Sequence, residues 1–152
     1  MWNDVKTEED ILRLMSAYGD FHDACMVSLA FRSGAFVDED RAMHFGNADE
    51  HIVSVLFQRQ GAPKAVELQF SGLRRLQLMG WQEDYVSCIF GAHLAFYDAL
   101  LPGERVIAWS DNSDCDIAAA MRGSSDTYII ANALRWRVVE DAEAARLEMR
   151  ER

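Results

Sequence analysis

Residues 65–79 read AVELQFSGLRRLQLM. Val66, Leu68, Phe70, Leu76 and Leu78 share one parity, and Glu67, Gln69, Ser71, Arg75 and Gln77 share the other. Side chains of a strand alternate between its two faces, so a period of two over this length predicts a long strand with one face buried. The phase survives Gly72, and Arg74 is its one misfit. Glycine inside a strand marks a bend or bulge. The stretch therefore reads as one strand bent at Ser71–Gly72, or as two strands with a kink.

The same period runs outward in both directions. Upstream, HIVSVLFQRQ at 51–60 is a strand apolar on both faces near its centre, and GAP at 61–63 is the turn after it. Further upstream, Phe21, Cys25, Val27, Leu29 and Phe31 alternate in 21–32, with Asp23 as the exception. Downstream, Val86, Cys88, Phe90, Ala92, Leu94 and Phe96 hold one face of 84–97. At about 3.3 Å per residue that segment is long for a straight strand, so a bend or hairpin at Gly91 is expected. LPG at 101–103 turns the chain into RVIAWS at 105–110. The last strand, 127–139, presents Tyr128, Ile130, Leu134, Trp136 and Val138 on one face, interrupted by Asn132.

Helices are few. Thr7 with Asp10 three residues later forms an approximate capping box, and Glu8 and Glu9 suit the positive end of the helix dipole. Ile11, Leu14, Met15 and Tyr18 make one apolar stripe, and Gly19 is the stop. A helical turn at DIAAAM and a short C-terminal helix from Asp141 complete the set. Strands that follow one another without intervening helices exclude a doubly wound parallel fold. The expectation is a single α+β domain over 1–152: a curved, mainly antiparallel meander or partial barrel, with an N-terminal helix and a short C-terminal one.

The chain has 152 residues, half of them hydrophobic, which suffices for one real core. Its net charge of −10 repels phosphate backbones and anionic lipid, which argues against nucleic-acid and membrane binding. Two acidic loops concentrate that charge. The first carries Asp38, Glu39, Asp40, Asp49 and Glu50 against Arg41; the second carries Asp111, Asp114, Asp116 and Asp126 against Arg122. Either suits a basic protein partner, although acidic surfaces also serve solubility alone.

Cys25, Cys88 and Cys115 form neither a disulfide framework nor a zinc pattern. Cys25 and Cys88 lie in apolar strand patterns and read as small buried hydrophobes. With no signal-peptide pattern and no membrane-length apolar run, the expected location is the cytoplasm.

No catalytic signature emerges. Histidine pairs with metal-ligand spacing, a nucleophile elbow and a phosphate-cradling glycine loop are all missing, so no catalytic, cofactor or metal residue is assigned. DNSDCD at 111–116 lacks the oxygen register and the glycine of a calcium loop. The candidate polar or ligand site is His22, Asp23 and His93. In a strand starting at Phe21, alternation points His22 and Asp23 to opposite faces. They form a dyad only if the strand begins after them. Within the strand, Asp23 is in phase with the apolar face and at the strand end would serve as an acceptor for backbone N–H groups. His93 is either a pocket residue or an exposed strand histidine.

The pattern FHDA at 21–24, LQFSGL at 68–73 and LRWR at 134–137 resembles a family of small bacterial cytosolic proteins without an established activity. The resemblance spans roughly residues 18–137 and brings no active site with it. In size, charge and class the chain is also similar to immunity proteins of toxin systems. These features imply a non-enzymatic protein-binding domain, immunity-like toward a basic toxin domain, with homo-oligomerisation open. The alternative is a small-molecule or enzymatic pocket in the concave sheet near His22, Asp23 and His93.

Overall fold

A computed structural model of the chain describes residues 1–81, 83 and 87–140. Among the described residues the elements run β1 (Asn3–Val5), α1 (Glu8–Ala17), β2 (Ala24–Arg32), β3 (Phe36–Val37), β4 (Met43–His44), β5 (Ile52–Arg59), β6 (Ala65–Gln77), β7 (His93–Leu101), β8 (Glu104–Ser110), α2 (Ile117–Ala120) and β9 (Tyr128–Val139). The fold is α+β with a mainly antiparallel sheet. The expected C-terminal helix from Asp141 lies outside the described residues.

The main sheet has the order β2-β5-β6-β9-β8-β7, with β1 added on β9. Every pairing in it is antiparallel. The order corrects the expected meander. After β6 the chain crosses to the far end of the sheet and returns through β7 and β8, so β9 lies beside β6 in a Greek-key arrangement. β6 covers one edge of β9, while β8 and β1 share the other at Tyr128–Ala131 and Leu134–Trp136. The strands do not close into a barrel; β2 and β7 are its end strands.

β6 is one continuous strand with the expected bend. Gly72 adopts φ +66°, and a Cβ there would sit 2.6 Å from Oδ1 of Asn132, so only glycine fits without displacement. The misfit Arg74 is the extra residue of a bulge between Leu73 and Arg75. Its guanidinium leaves the strand to bind Glu104 at 2.7 Å.

Three expected faces are corrected at such irregularities. On β9, Ile129, Ala131 and Leu134 enter the main core, while Tyr128 and Ile130 enter a second cluster with Ile117 and Ala120. Alternation slips at Asn132 and Ala133, which are both exposed. On β2 a bulge at Val27 brings Ala24, Met26 and Leu29 to the core and leaves Val27 and Phe31 exposed. Residues 87–92 form no continuous strand. They make isolated bridges from Ile89 to Ala24 and from Gly91 to Asn112, and Phe90, expected inside, is outside while Ile89 is buried.

Helix α1 forms as its sequence dictates. Asp10 N donates to Thr7 Oγ1 (3.2 Å) and Thr7 N donates to Asp10 Oδ2 (3.0 Å), the reciprocal pair of a capping box. Ile11, Leu14 and Tyr18 are buried. The core centres on edge-to-face and tilted contacts of Tyr18, Phe21, Phe57 and Trp109, with centroids 5.0–5.9 Å apart. Each contact adds about 0.5–1.5 kcal/mol beyond burial. Arg59 stacks on Tyr18 and donates to Ala17 O, tying the helix C-terminus to β5.

Candidate functional site

The chain leaves α1 through a run of left-handed residues: Gly19, Asp20, Phe21 and Asp23 all have φ of 55–61°. Full burial of Phe21 holds this strained turn in place. β2 therefore starts at Ala24, one residue after Asp23, and strand alternation never separates His22 from Asp23. His22 Nε2 lies 3.4 Å from Asp23 Oδ2. The other ring nitrogen, Nδ1, donates to Phe90 O at 2.7 Å. Asp23 is not in a buried phase: its side chain is 63% exposed, and its backbone N donates to Ile89 O at 2.8 Å.

On its other side Asp23 accepts from a thiol, with Cys88 Sγ 3.7 Å from Oδ1. The order is thus imidazole, carboxylate, thiol. A nucleophilic cysteine needs the imidazole against the sulfur, where it stabilises thiolate. Here burial first, then the charge of Asp23, pushes the Cys88 thiol up from its ordinary value. The arrangement holds a proton on sulfur and does not fit a cysteine hydrolase.

Asp23, Cys25, Gln58, Arg59, Lys64 and Cys88 line an open cleft of about 590 Å³. A smaller cavity of about 250 Å³ lies under Met26, Met79, Ile89, Trp109, Asp111 and Thr127. Trp109 is fully buried, and its Nε1 has no hydrogen-bond partner among the described residues. His93 lines neither space. Its Nε2 lies 2.7 Å from the Tyr97 hydroxyl on β7, and desolvation pushes its pKa down. The structure thus brings His22 and Asp23 together and gives His93 to Tyr97. Among the described residues no three His, Cys, Asp or Glu side chains converge as a metal ion requires. No helix there is long and apolar enough to cross a membrane.

The acidic residues divide by what their oxygens do. In the first loop β3 and β4 pair as a short hairpin, unforeseen from sequence because two-residue strands show no period. Asp38 Oδ1 accepts from the N–H groups of Asp40 and Ala42, and His44 Nε2 lies 2.8 Å from Oδ2. That imidazole contact first, then the Ala42 N–H, holds the Asp38 carboxyl below its ordinary value. Glu50 Oε2 accepts from Asn47 N at 2.7 Å and packs against Gly34 and Gly46. Glu39, Asp40 and Asp49 remain, with carboxylates that have no partner among the described residues. Beside them Phe36, Val37, Met43 and Phe45 are 57–73% exposed, and Phe36 stacks on His44 at 4.5 Å.

The second loop is built inward. Asp116 caps α2 through Ala119 N at 3.1 Å, and Asp111 Oδ1 accepts from Thr127 N at 3.2 Å. Asp126 Oδ1 accepts from Asn112 Nδ2 at 3.3 Å. Asp114 alone keeps an exposed carboxylate without such a role. The loops hang from different stations of β6, the first at Leu73 through His51 O and the second at Gln77 through Ser124 O and Asp126 O.

No family model, no curated protein and no solved structure matches this chain.

Proposed function

We propose that the protein is a non-enzymatic binding domain of the cytoplasm that receives a basic protein on the β3–β4 hairpin. One observation carries the reading: four large apolar side chains stand exposed on a hairpin whose neighbours Glu39, Asp40 and Asp49 have unspent charge. Apolar side chains in the open are stabilised when a partner covers them, and a cluster of them marks an interaction surface. The acids around them steer a positive surface into place and reject a negative one. Asp38 and Glu50 keep the hairpin ordered before contact, which lowers the entropy lost on binding. An immunity-like role toward a basic toxin domain is the specific form of this reading.

A second reading places a small molecule in the 250 Å³ cavity, where the Trp109 N–H, without a partner among the described residues, favours a ligand carrying a hydrogen-bond acceptor. One experiment separates the two. The chain and its Glu39→Gln/Asp40→Asn/Asp49→Asn variant are purified from native cells and analysed by native mass spectrometry. A stoichiometric basic protein on the wild type, lost from the variant and in about 0.5 M salt, is the expected result. A small-molecule adduct on both chains favours the cavity. No bound protein, or one held equally by the variant, overturns the binding reading.

A further inference from the structure

We infer that Cys25 and Cys88 form a dithiol modification site, open to the cleft, that closes to an intramolecular disulfide on meeting a low-molecular-weight disulfide. Sixty-three positions separate the two cysteines in sequence, and the isolated bridge between Ala24 and Ile89 brings them together. Ile89 N donates to Ala24 O and Asp23 N donates to Ile89 O, both at 2.8 Å, so Asp23 and Ala24 together stand opposite Ile89. Cys25 and Cys88 each lie one residue beyond this bridge, on the two segments it joins. An antiparallel contact extended by that one residue sets the two Cα atoms about 4.5–5.5 Å apart, within the span a disulfide takes. Both cysteines are free and partly exposed, and both line the 590 Å³ cleft. Cys115, the third, is buried in the other core cluster.

The surroundings assign the order of events. Cys88 faces the Asp23 carboxylate and keeps its proton, so Cys25 reacts first. The Cys25 thiolate attacks one sulfur of the incoming disulfide, forms a mixed disulfide and expels one thiolate. Cys88 then gives its proton to the thiolate released in the first step, and its sulfur attacks that of Cys25, expelling the second thiolate. The two protons lost by the cysteines end on the two released thiols. Two electrons pass from the dithiol to the small disulfide. The new bond clamps segment 87–92 to the end strand β2, whose only other covalent link to it is the long chain between.

The full-length chain incubated with glutathione disulfide tests this. Free thiols should fall from three to one, with a mass loss of about 2 Da and no glutathione retained. Peptide mapping should find Cys25 joined to Cys88. The melting temperature should rise by about 10 °C, because a long loop is closed in the unfolded chain. Cys88→Ser should instead stop at a stable glutathione adduct on Cys25. A cross-link through Cys115, a disulfide between two chains, a wild type that retains glutathione, or unchanged thiols overturns the inference. Mapping the wild type decides this even if a variant does not fold.

Discussion

The two acidic loops have nearly the same charge and opposite constructions. In the second, Asp111, Asp116 and Asp126 spend their oxygens on backbone and side-chain N–H groups, and Ile117 and Ala120 plug a buried cluster. In the first, Asp38 and Glu50 organise the loop, three acids are left over, and the apolar residues point to water. The difference teaches that a run of acids says little about function until each carboxylate has been followed to its partner. The second loop is part of the core's boundary. The first is a surface held in readiness.

The sharpest way to break this contrast is by truncation. Ile117→Ala should destabilise the whole protein by about 2–4 kcal/mol, since it empties a fully buried site. Phe36→Ser with Met43→Ser should change stability by less than about 0.5 kcal/mol, because both are already exposed. Denaturant unfolding measures both, and similar losses in the two would erase the distinction. A smaller effect is expected from Asp116→Ala, which removes the cap of α2 and costs about 1 kcal/mol in the same assay. Asp114→Ala should be neutral beside it, and equal effects would mean the cap contributes nothing.

The smallest effect is local and depends on pH. The Asp38 carboxyl is held below its ordinary 3.8 chiefly by His44. A lowered carboxylate contributes order that is present above the unfolded value and lost as pH falls through the lower folded one. Hairpin amide signals followed by NMR from about pH 6 to about pH 2 should therefore hold past that ordinary value and then collapse together, ahead of the main sheet. Asp38→Asn should disorder the hairpin at neutral pH. A hairpin that keeps its signals in that variant would show that Asp38 does not organise the loop.

Much of the fold was legible because it is repetitive. Thr7 and Asp10 announced α1, and the alternation of 65–77 announced β6. Even its irregularities were visible: Gly72 bends the strand, and Arg74 broke phase because it is the bulge residue. Elements of two or three residues were not legible. β1 pairs with β9 across nearly the whole chain, and no local pattern encodes that partner. Faces assigned by parity failed wherever a bulge or slip intervened, at Val27, near Asn132 and around Ile89. His22 and Asp23 are neighbours in sequence, yet their contact depends on where β2 begins, which the buried Phe21 decides.

By itself the sequence determined the α+β class, the capped N-terminal helix, the long bent strand and the placement of charge in two loops, because each of these rests on neighbours within a few residues. Tertiary structure alone decided that the β6–β9 pairing interrupts the meander and which acids keep their charge free. It alone decided that Cys25 and Cys88 line one cleft. These depend on contacts between distant segments, whose register is set by packing around Phe21, Phe57 and Trp109 and not by any local period.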